Sequence, residues 1–205
     1  MPVIVVANPK GGVGKSTLSS NIAGYFARQG HKVMLGDIDR QQSSRLWLQL
    51  RPDTLPAVQS WDLDRDDIVR PPKGTTHVVL DTPAGLHGKR LQAVMKLADH
   101  ILVPLQASVF DVFATRAFLD ELAASRKADD VPVALVGMRV HANALSADKL
   151  RAMADQLGWP LLTMLRDTQN YVHLAASGLT LFDVAKGKVE RDLEQWGPLV
   201  SWLGD

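Results

Sequence analysis

The feature that most constrains the fold is a glycine-rich stretch, residues 8–17, that directly follows the apolar run at residues 3–7. The run is mostly β-branched and has no polar face, which predicts a buried strand. Residues 16–29 follow with a helical pattern that ends at Gly30. Glycines in a turn between a strand and a helix allow backbone N–H groups to point inward around an anion. This stretch therefore predicts a strand–loop–helix unit with a phosphate-binding loop.

Short apolar runs alternate with helical patterns along the rest of the chain. Further strands are predicted at residues 32–37, 58–61, 76–81, 100–104, 131–138 and 161–165. The strand at residues 58–61 is predicted to lie at the edge of the sheet. The helical patterns lie at residues 43–50, 87–98, 109–124 and 146–157. Such alternation is typical of βαβ units. We therefore expect an α/β fold in a single domain over residues 1–205, with a mostly parallel twisted sheet and helices on both faces. Together with the glycine-rich loop after the first strand, this arrangement predicts a single-domain P-loop NTPase.

The composition excludes several classes of protein. The net charge is +1, with 23 basic and 22 acidic residues, which argues against an obligate binder of polyanions. The absence of cysteine excludes disulfides, iron–sulfur clusters and thiolate zinc sites. No apolar run is long enough to cross a bilayer, and the first residues lack the pattern of a secretory signal. We therefore expect a cytoplasmic protein.

The glycine-rich loop has the chemistry expected of a nucleotide site. Lys15 would reach the β- and γ-phosphates, Ser16 would ligate Mg²⁺, and the positive end of the following helix would favour both. Pro9 stands where the common motif G-x-x-x-x-G-K-[ST] has its first glycine, so the full match is to the variant K-G-G-x-G-K-[ST]. The predicted nucleotide-binding residues are Lys10, Gly11, Gly12, Val13, Gly14, Lys15, Ser16 and Thr17.

The string KGGVGKST resembles the deviant Walker A motif of the ParA/MinD superfamily of ATPases. In that family the first lysine, Lys10 here, reaches across a nucleotide-sandwich dimer to the ATP of the partner. The resemblance implies an ATP-dependent homodimer with ATP and Mg²⁺ as cofactors, in which Lys15 serves the nucleotide of its own subunit. This resemblance covers nearly the whole chain. In length the chain is most similar to small ParA proteins of the ParF type.

Two further segments resemble motifs of the same family. "GDIDRQQSS" resembles D-x-D-P-Q-x-S, with Arg40 in place of the proline, and "HVVLDTPAG" resembles a Walker B strand. The first resemblance implies that Asp37 lies near Mg²⁺ through water and that Asp39 orients the attacking water. The second implies that Asp81 belongs to the Mg²⁺ shell. The implied catalytic residues are Lys10, Lys15 and Asp39, and the implied metal-binding residues are Ser16, Asp37 and Asp81.

The C-terminal stretch bears on which cellular surface the chain binds. Its apolar residues are spaced as one helical stripe, formed by Val189, Leu193, Trp196, Val200 and Leu203. The polar side would be acidic, and anionic lipid would repel it. The acidic residues are Glu190, Asp192, Glu194 and Asp205. We therefore expect a helix docked on the core, with membrane contact as the lesser alternative.

The resemblance to ParA proteins also implies non-specific DNA binding by the ATP dimer. Phosphate contacts require several basic residues together, and a dimer doubles their number. Because the net charge is only +1, we expect the binding to be weak and steeply salt-dependent. The candidate residues are Arg139, Lys149, Arg151, Arg166, Lys186, Lys188 and Arg191.

The sequence thus favours an ATP-dependent dimerising ATPase that segregates or positions a plasmid, a chromosome region or another cargo. By the same resemblance, the ATP-bound dimer would be nucleoid-associated, and a ParB-like or cargo-adaptor protein would stimulate hydrolysis. Two alternatives stay open, a MinD-like membrane-associated positioning ATPase and a small-molecule P-loop kinase. A cobyrinate-type amide synthase would need substrate-binding segments for which 205 residues leave little room.

Overall fold

The computed structural model describes residues 1–61, 71–124, 131–141 and 144–204. Part of the irregular stretch after the predicted edge strand, residues 62–70, lies outside the described residues. The strands are β1 (Val3–Val6), β2 (Val33–Asp37), β3 (Val58–Trp61), β4 (His77–Asp81), β5 (His100–Leu105), β6 (Val133–Val140) and β7 (Leu161–Arg166). The helices are α1 (Lys15–Arg28), α2 (Ser43–Leu50), α3 (Gly88–Met95), α4 (Val109–Ala123), α5 (Ala144–Leu157), α6 (Gln169–Ala175) and α7 (Lys186–Leu203), with a 3₁₀ turn at Leu181–Asp183.

The strands form one seven-stranded sheet in the order β3-β2-β4-β1-β5-β6-β7. Each strand pairing in the described ranges is parallel. β1 lies at the centre, with Val5 opposite Leu80 of β4 on one side and Ile101 of β5 on the other. The α/β class is therefore confirmed, and β3 lies at the sheet edge as predicted.

Alternate residues of β1 face two separate hydrophobic clusters, one on each side of the sheet. Val3 and Val5 belong to the cluster that α3, α4 and α5 cover. Ile4 and Val6 belong to the cluster that α1, α2 and α7 cover. Both faces are apolar because side chains of a strand point alternately up and down, and a central parallel strand is buried on both sides. The phosphate loop follows a central strand that is buried along its whole length.

The C-terminal helix α7 docks on the core, as the apolar stripe predicts. Val189, Trp196 and Leu203 are buried. Asp192, expected on the exposed acidic side, is fully buried, so that expectation was wrong. Its carboxylate pairs with the guanidinium of Arg166 on β7 and accepts a hydrogen bond from Asn170. A buried carboxylate requires such partners, and they come from distant segments that helical spacing does not reveal.

The remaining features of the fold concern α7, the short helices and the apolar character of the helices. Glu190 and Glu194 are exposed, as the helical spacing predicts, and Asp205 lies outside the described residues. The sequence pattern did not predict α6 or the 3₁₀ turn, which are too short to show a period. Among the described helices, none combines the length and the apolar character that crossing a membrane requires.

Candidate nucleotide site

The phosphate loop joins β1 to α1 through two glycines in the left-handed region. Gly12 has φ 75° and Gly14 has φ 101°, values that residues with a Cβ rarely adopt. A Cβ on Gly14 would also lie 2.7 Å from Cε of Met138, so the end of β6 packs directly against the loop. α1 then begins at Lys15, which places the positive end of a helix at the loop. The backbone therefore has the form that a phosphate cradle requires.

Asn8 anchors this loop to the rest of the sheet. Its side chain is fully buried, and its Nδ2 donates to the carbonyl of Pro104 at 2.8 Å and to Oγ1 of Thr115 at 3.0 Å. Its Oδ1 accepts from the backbone N–H of Lys10 at 2.8 Å. Asn8 thus links the loop to β5 and α4, a positioning role that the motif alone did not reveal.

The two lysines of the loop differ in their surroundings. Lys15 is only 7% exposed, and its Nζ donates to the carbonyl of Lys10 at 2.8 Å. Burial lowers the pKa of Lys15, while the charges of Asp81 and Asp39 raise it. Lys10 is partly exposed on the same loop. A buried ammonium group that the loop itself orients is suited to binding phosphate oxygens.

Two carboxylates lie opposite each other at the carboxyl ends of β2 and β4. Asp37 and Asp81 are partners in the parallel register. Oδ2 of Asp81 accepts from the hydroxyl of Ser44 at 2.7 Å, whereas its Oδ1 has no hydrogen-bond partner in the described part of the chain. Burial raises the pKa of Asp81 to about 6, which the neighbouring hydroxyls of Ser16 and Ser44 oppose.

Asp37 holds the start of α2 in place. Its Oδ2 accepts from the backbone N–H groups of Ser44 at 2.9 Å and Arg45 at 3.2 Å. Its Oδ1 accepts from the N–H of Asp39 at 3.0 Å. Burial raises the pKa of Asp37, and these three N–H donors lower it. The carboxylate thus ties β2, the following turn and α2 into one unit.

These oxygen atoms fit Mg²⁺. The orphaned Oδ1 of buried Asp81 and the hydroxyl of Ser16 are hard oxygen ligands, the kind that Mg²⁺ prefers. The described residues contain no cluster of three or more acidic or histidine side chains that could hold a metal alone. Mg²⁺ ordinarily takes one or two carboxylates and completes its shell with phosphate oxygens and water, which agrees with this arrangement.

The turn after Asp37 forms although Arg40 replaces the proline of the motif. The N–H of Gln42 donates to the carbonyl of Asp39 at 3.2 Å, and Gln42 adopts φ 50°. Oδ1 of Asp39 accepts from the N–H of Gln41 at 3.0 Å. The departure at Arg40 therefore leaves the turn intact and places a basic residue at the cleft.

The site opens into a cleft of about 610 Å³. Its walls are the phosphate loop, residues 38–41, residues 83–85 and two arginines, Arg90 and Arg139. Nη2 of Arg90 donates to the carbonyl of Ile38 at 3.4 Å, which links α3 to the turn at Asp39. The basic residues on these walls outnumber the acidic one. A polyphosphate is the ligand that such a charge distribution favours.

The comparisons agree with this geometry. The sequence profile of the CobQ/CobB/MinD/ParA nucleotide binding domain matches residues 4–181. The chain belongs to this family. It is 28% identical over 197 residues to the Maintenance of carboxysome distribution protein A of Halothiobacillus neapolitanus, covering 92% of this chain and 91% of that protein. It is also 28% identical over 139 residues to Protein ParA of Rhizobium radiobacter, covering 65% of this chain and 62% of the relative.

Solved structures of low sequence identity share the fold. The ATP complex of a McdA variant from Cyanothece superposes with a TM-score of 0.72 at 17% identity, covering 97% of this chain and 96% of that one. A putative plasmid partition protein of Borrelia burgdorferi bound to AMPPNP gives a TM-score of 0.72 at 17% identity, covering 98% and 99%. The ParA/MinD-like fold that the motifs imply is therefore confirmed.

The family motifs fall together in the structure, whereas the candidate DNA-binding residues separate into groups. Lys186, Lys188 and Arg191 are exposed at the start of α7. Arg166 pairs with the buried Asp192 and is partly exposed. Lys149 and Arg151 lie on α5, which packs on the opposite face of the sheet. Arg139 lines the nucleotide cleft, a position that its place in the sequence did not indicate.

Proposed function

We propose that this member of the family is a ParA-type ATPase that dimerises on binding ATP and Mg²⁺ and positions a plasmid, a chromosome region or another cargo. The observation that carries the proposal is a single cleft lined by the phosphate loop, Asp39 and Gly85, with the buried Asp81 next to Ser16. The names of two relatives support a positioning role, since one is a carboxysome distribution protein and another a chromosome-partitioning ATPase.

Within one subunit the residues divide the work of binding ATP. Lys15 and the N–H groups of the glycine-rich loop would bind the β- and γ-phosphates. Ser16 and Asp81 would hold Mg²⁺ directly, and Asp37 would do so through water. Mg²⁺ bound there would neutralise charge on the β- and γ-phosphates. The N–H of Gly85 donates to the carbonyl of Pro9 at 2.8 Å, so the segment after β4 is linked to the phosphate loop.

Hydrolysis would depend on two further residues, Asp39 of the same subunit and Lys10 of the second subunit. Asp39 would orient the attacking water, a role that suits a carboxylate beside the γ-phosphate. Lys10 of a second subunit would stabilise the charge that develops in the transition state, as an arginine finger supplied in trans does. We expect slow intrinsic turnover, since both groups would be arranged fully only in the dimer with its stimulating partner.

The ATP dimer would bind DNA non-specifically through the start of α7. Lys186, Lys188 and Arg191 are exposed within two turns of helix, and Arg166 lies on the neighbouring β7. Dimerisation would bring two such surfaces together, which makes binding dependent on ATP and on salt. The dimer would therefore associate with the nucleoid, and a ParB-like or cargo-adaptor protein would release it by stimulating hydrolysis.

The test is the oligomeric state and DNA binding of the Asp39→Ala variant, measured by size-exclusion chromatography with light scattering. We expect a dimer with ATP and Mg²⁺, a monomer with ADP, and DNA binding by the dimer alone. ATP hydrolysis should fall at least about 100-fold while ATP is still bound, because the water-orienting carboxylate is gone.

The matched control is Asp53→Ala, since Asp53 is exposed and outside the cleft. It should hydrolyse ATP as the wild type does. A monomer of Asp39→Ala with both nucleotides would contradict the dimerisation proposal and favour an ordinary P-loop kinase. DNA binding that is equal with ATP, with ADP and without nucleotide would contradict the proposed DNA switch.

A further inference from the structure

Arg139 has an unusual backbone conformation. Its φ is 51°, and in the described ranges it shares a positive φ with just one other residue that is not glycine, Gln42. The left-handed region is unfavourable for a residue with a long side chain, because Cβ approaches the following carbonyl. Such a conformation persists where the surrounding structure holds it, often at a functional site. The conformation of Arg139 therefore requires an explanation.

The local structure supplies a geometric reason. Arg139 is the penultimate residue of β6, and the pairing of β6 with β7 shifts in register between Gly137 and Val140. An irregularity of this kind bends a strand and re-aims one side chain. Arg139 is exposed and lines the nucleotide cleft, while its neighbour Met138 is buried against Gly14. The shifted register thus turns one arginine toward the mouth of the phosphate loop.

The strand order shows from which side this arginine approaches the loop. The loop follows β1, which has β4 and then β2 on one side and β5 and then β6 on the other. The carboxylates that fit Mg²⁺, Asp37 and Asp81, end β2 and β4. Mg²⁺ held there would neutralise the terminal phosphates of a bound nucleotide, so the γ-phosphate would lie on the β4 side. Arg139 comes from the β6 side, where the remainder of the nucleotide would lie.

We propose that Arg139 binds the half of the nucleotide that ATP and ADP share, the α-phosphate with its nucleoside. This proposal rests on the nucleotide site proposed above and adds a residue outside its motifs. A guanidinium is suited to this position because its planar fork pairs with phosphate oxygens and its face stacks on a base. Arg139 is then a nucleotide contact and leaves the DNA surface to the basic residues of α7.

The experiment compares the affinities of Arg139→Gln and Arg139→Gly for ADP and for ATP, with Mg²⁺ and without DNA, by isothermal titration calorimetry. Glutamine removes the charge and keeps a side chain in the left-handed conformation. Glycine removes the charge and also relieves the backbone. Because both variants lose the guanidinium, we expect each to bind ADP and ATP about 10-fold more weakly, by the same factor for the two nucleotides.

Arg28→Gln is the matched control, because Arg28 is an exposed arginine at the far end of α1. Its affinities should equal those of the wild type. A denaturant titration should show Arg139→Gly at least as stable as the wild type, which separates loss of a contact from loss of the fold. At saturating ATP, both Arg139 variants should bind DNA as the wild type does.

Three outcomes would overturn this assignment. The affinities of both variants could stay within twofold of the wild type. The loss could be confined to ATP, which would place Arg139 at the γ-phosphate. DNA binding could be lost while nucleotide affinity is kept, which would make Arg139 a DNA contact. Failure of the wild-type protein to bind either nucleotide would instead contradict the proposed function itself.

Discussion

The two ends of the parallel sheet bury ionisable groups in opposite ways. At the carboxyl edge, Asp81 is 1% exposed and Lys15 is 7% exposed. At the amino edge, His77 is 8% exposed and lies over Phe26, with ring centroids 4.3 Å apart. His31 packs against the ring of His77 at 4.0 Å. Both edges therefore exclude water from groups that can carry charge.

The difference lies in what each edge does with that burial. Burial and the adjacent His31 lower the pKa of His77 to about 4, so that ring is neutral and packs as an aromatic group. At the carboxyl edge Asp81 keeps an acceptor without a partner among the described residues, beside the buried ammonium of Lys15. The rings of Phe26, His77 and His31 pack without a ligand, whereas Oδ1 of Asp81 would gain a partner when Mg²⁺ binds.

The largest effect is expected from Lys10→Ala at the carboxyl edge. Turnover should fall about 1,000-fold, because a cation supplied in trans stabilises the transition state of phosphoryl transfer. ATP binding should be kept, since Lys15 serves the nucleotide of its own subunit. A coupled ATPase assay and ATP titration measure the two quantities. The matched control is Lys96→Ala, an exposed lysine at the end of α3. Wild-type turnover of Lys10→Ala would contradict the role in trans.

Asp81→Asn should raise the free energy of unfolding and weaken the binding of ATP with Mg²⁺. The folded-state pKa of about 6 lies above the unfolded value of about 3.9, so the native state binds the extra proton and stability falls as pH rises from 4 to 6. At pH 8 the variant without nucleotide should be more stable by about 3 kcal/mol, because a buried charge is removed. Urea titrations at pH 4 and pH 8 measure this change.

The same Asp81→Asn variant should lose Mg²⁺-dependent ATP affinity by a factor of about 10 or more, because an amide is a weaker ligand for Mg²⁺ than a carboxylate. Affinity measured with EDTA should change little. A variant less stable than the wild type at pH 8 would contradict the expectation that the buried charge of Asp81 destabilises the protein. Unchanged Mg²⁺ dependence would remove Asp81 from the proposed shell.

His77→Phe, at the amino edge, should have the smallest effect on nucleotide binding. Its effect on the pH dependence of stability should be opposite in sign to that of Asp81→Asn. The folded-state pKa of about 4 lies below the unfolded value of about 6.5, so wild-type stability falls as pH drops from 6.5 to 4. The variant should lose that dependence, which amounts to about 3 kcal/mol between pH 6.5 and pH 4, because phenylalanine stacks without titrating. Nucleotide affinity should match the wild type. A variant whose pH dependence is unchanged would contradict the proposed difference between the edges.

Much of the fold could be predicted from the sequence because parallel strands are buried on both faces. The apolar runs at residues 76–81 and 131–138 therefore locate β4 and β6 to within two residues at either end. The edge strand at residues 58–61 was also found, from its position in an otherwise irregular stretch. α6 was missed, since its few residues include no fully buried position and so show no apolar period.

The sequence predicted the parts of the candidate site whose residues are contiguous in the chain. The phosphate loop and the carboxylates after β2 and β4 depend on strand ends that meet at one edge. Asn8, Arg90 and Arg139 were missed or assigned elsewhere, because their contacts come from other segments or from a register shift. The burial of Asp192 is a similar case, since its partner Arg166 lies on another strand.

One feature of the packing determines when the nucleotide site can form during folding. Phe182 lies between Tyr25 of α1 and Trp196 of α7, with ring centroids 5.1 Å and 5.5 Å away. Residue 196 follows residue 25 by 171 positions, so the helix that carries the phosphate loop is covered by a segment that is synthesised long after it. Contacts so far apart in sequence form slowly. A nascent chain would therefore contain the whole glycine-rich motif long before it could hold a nucleotide.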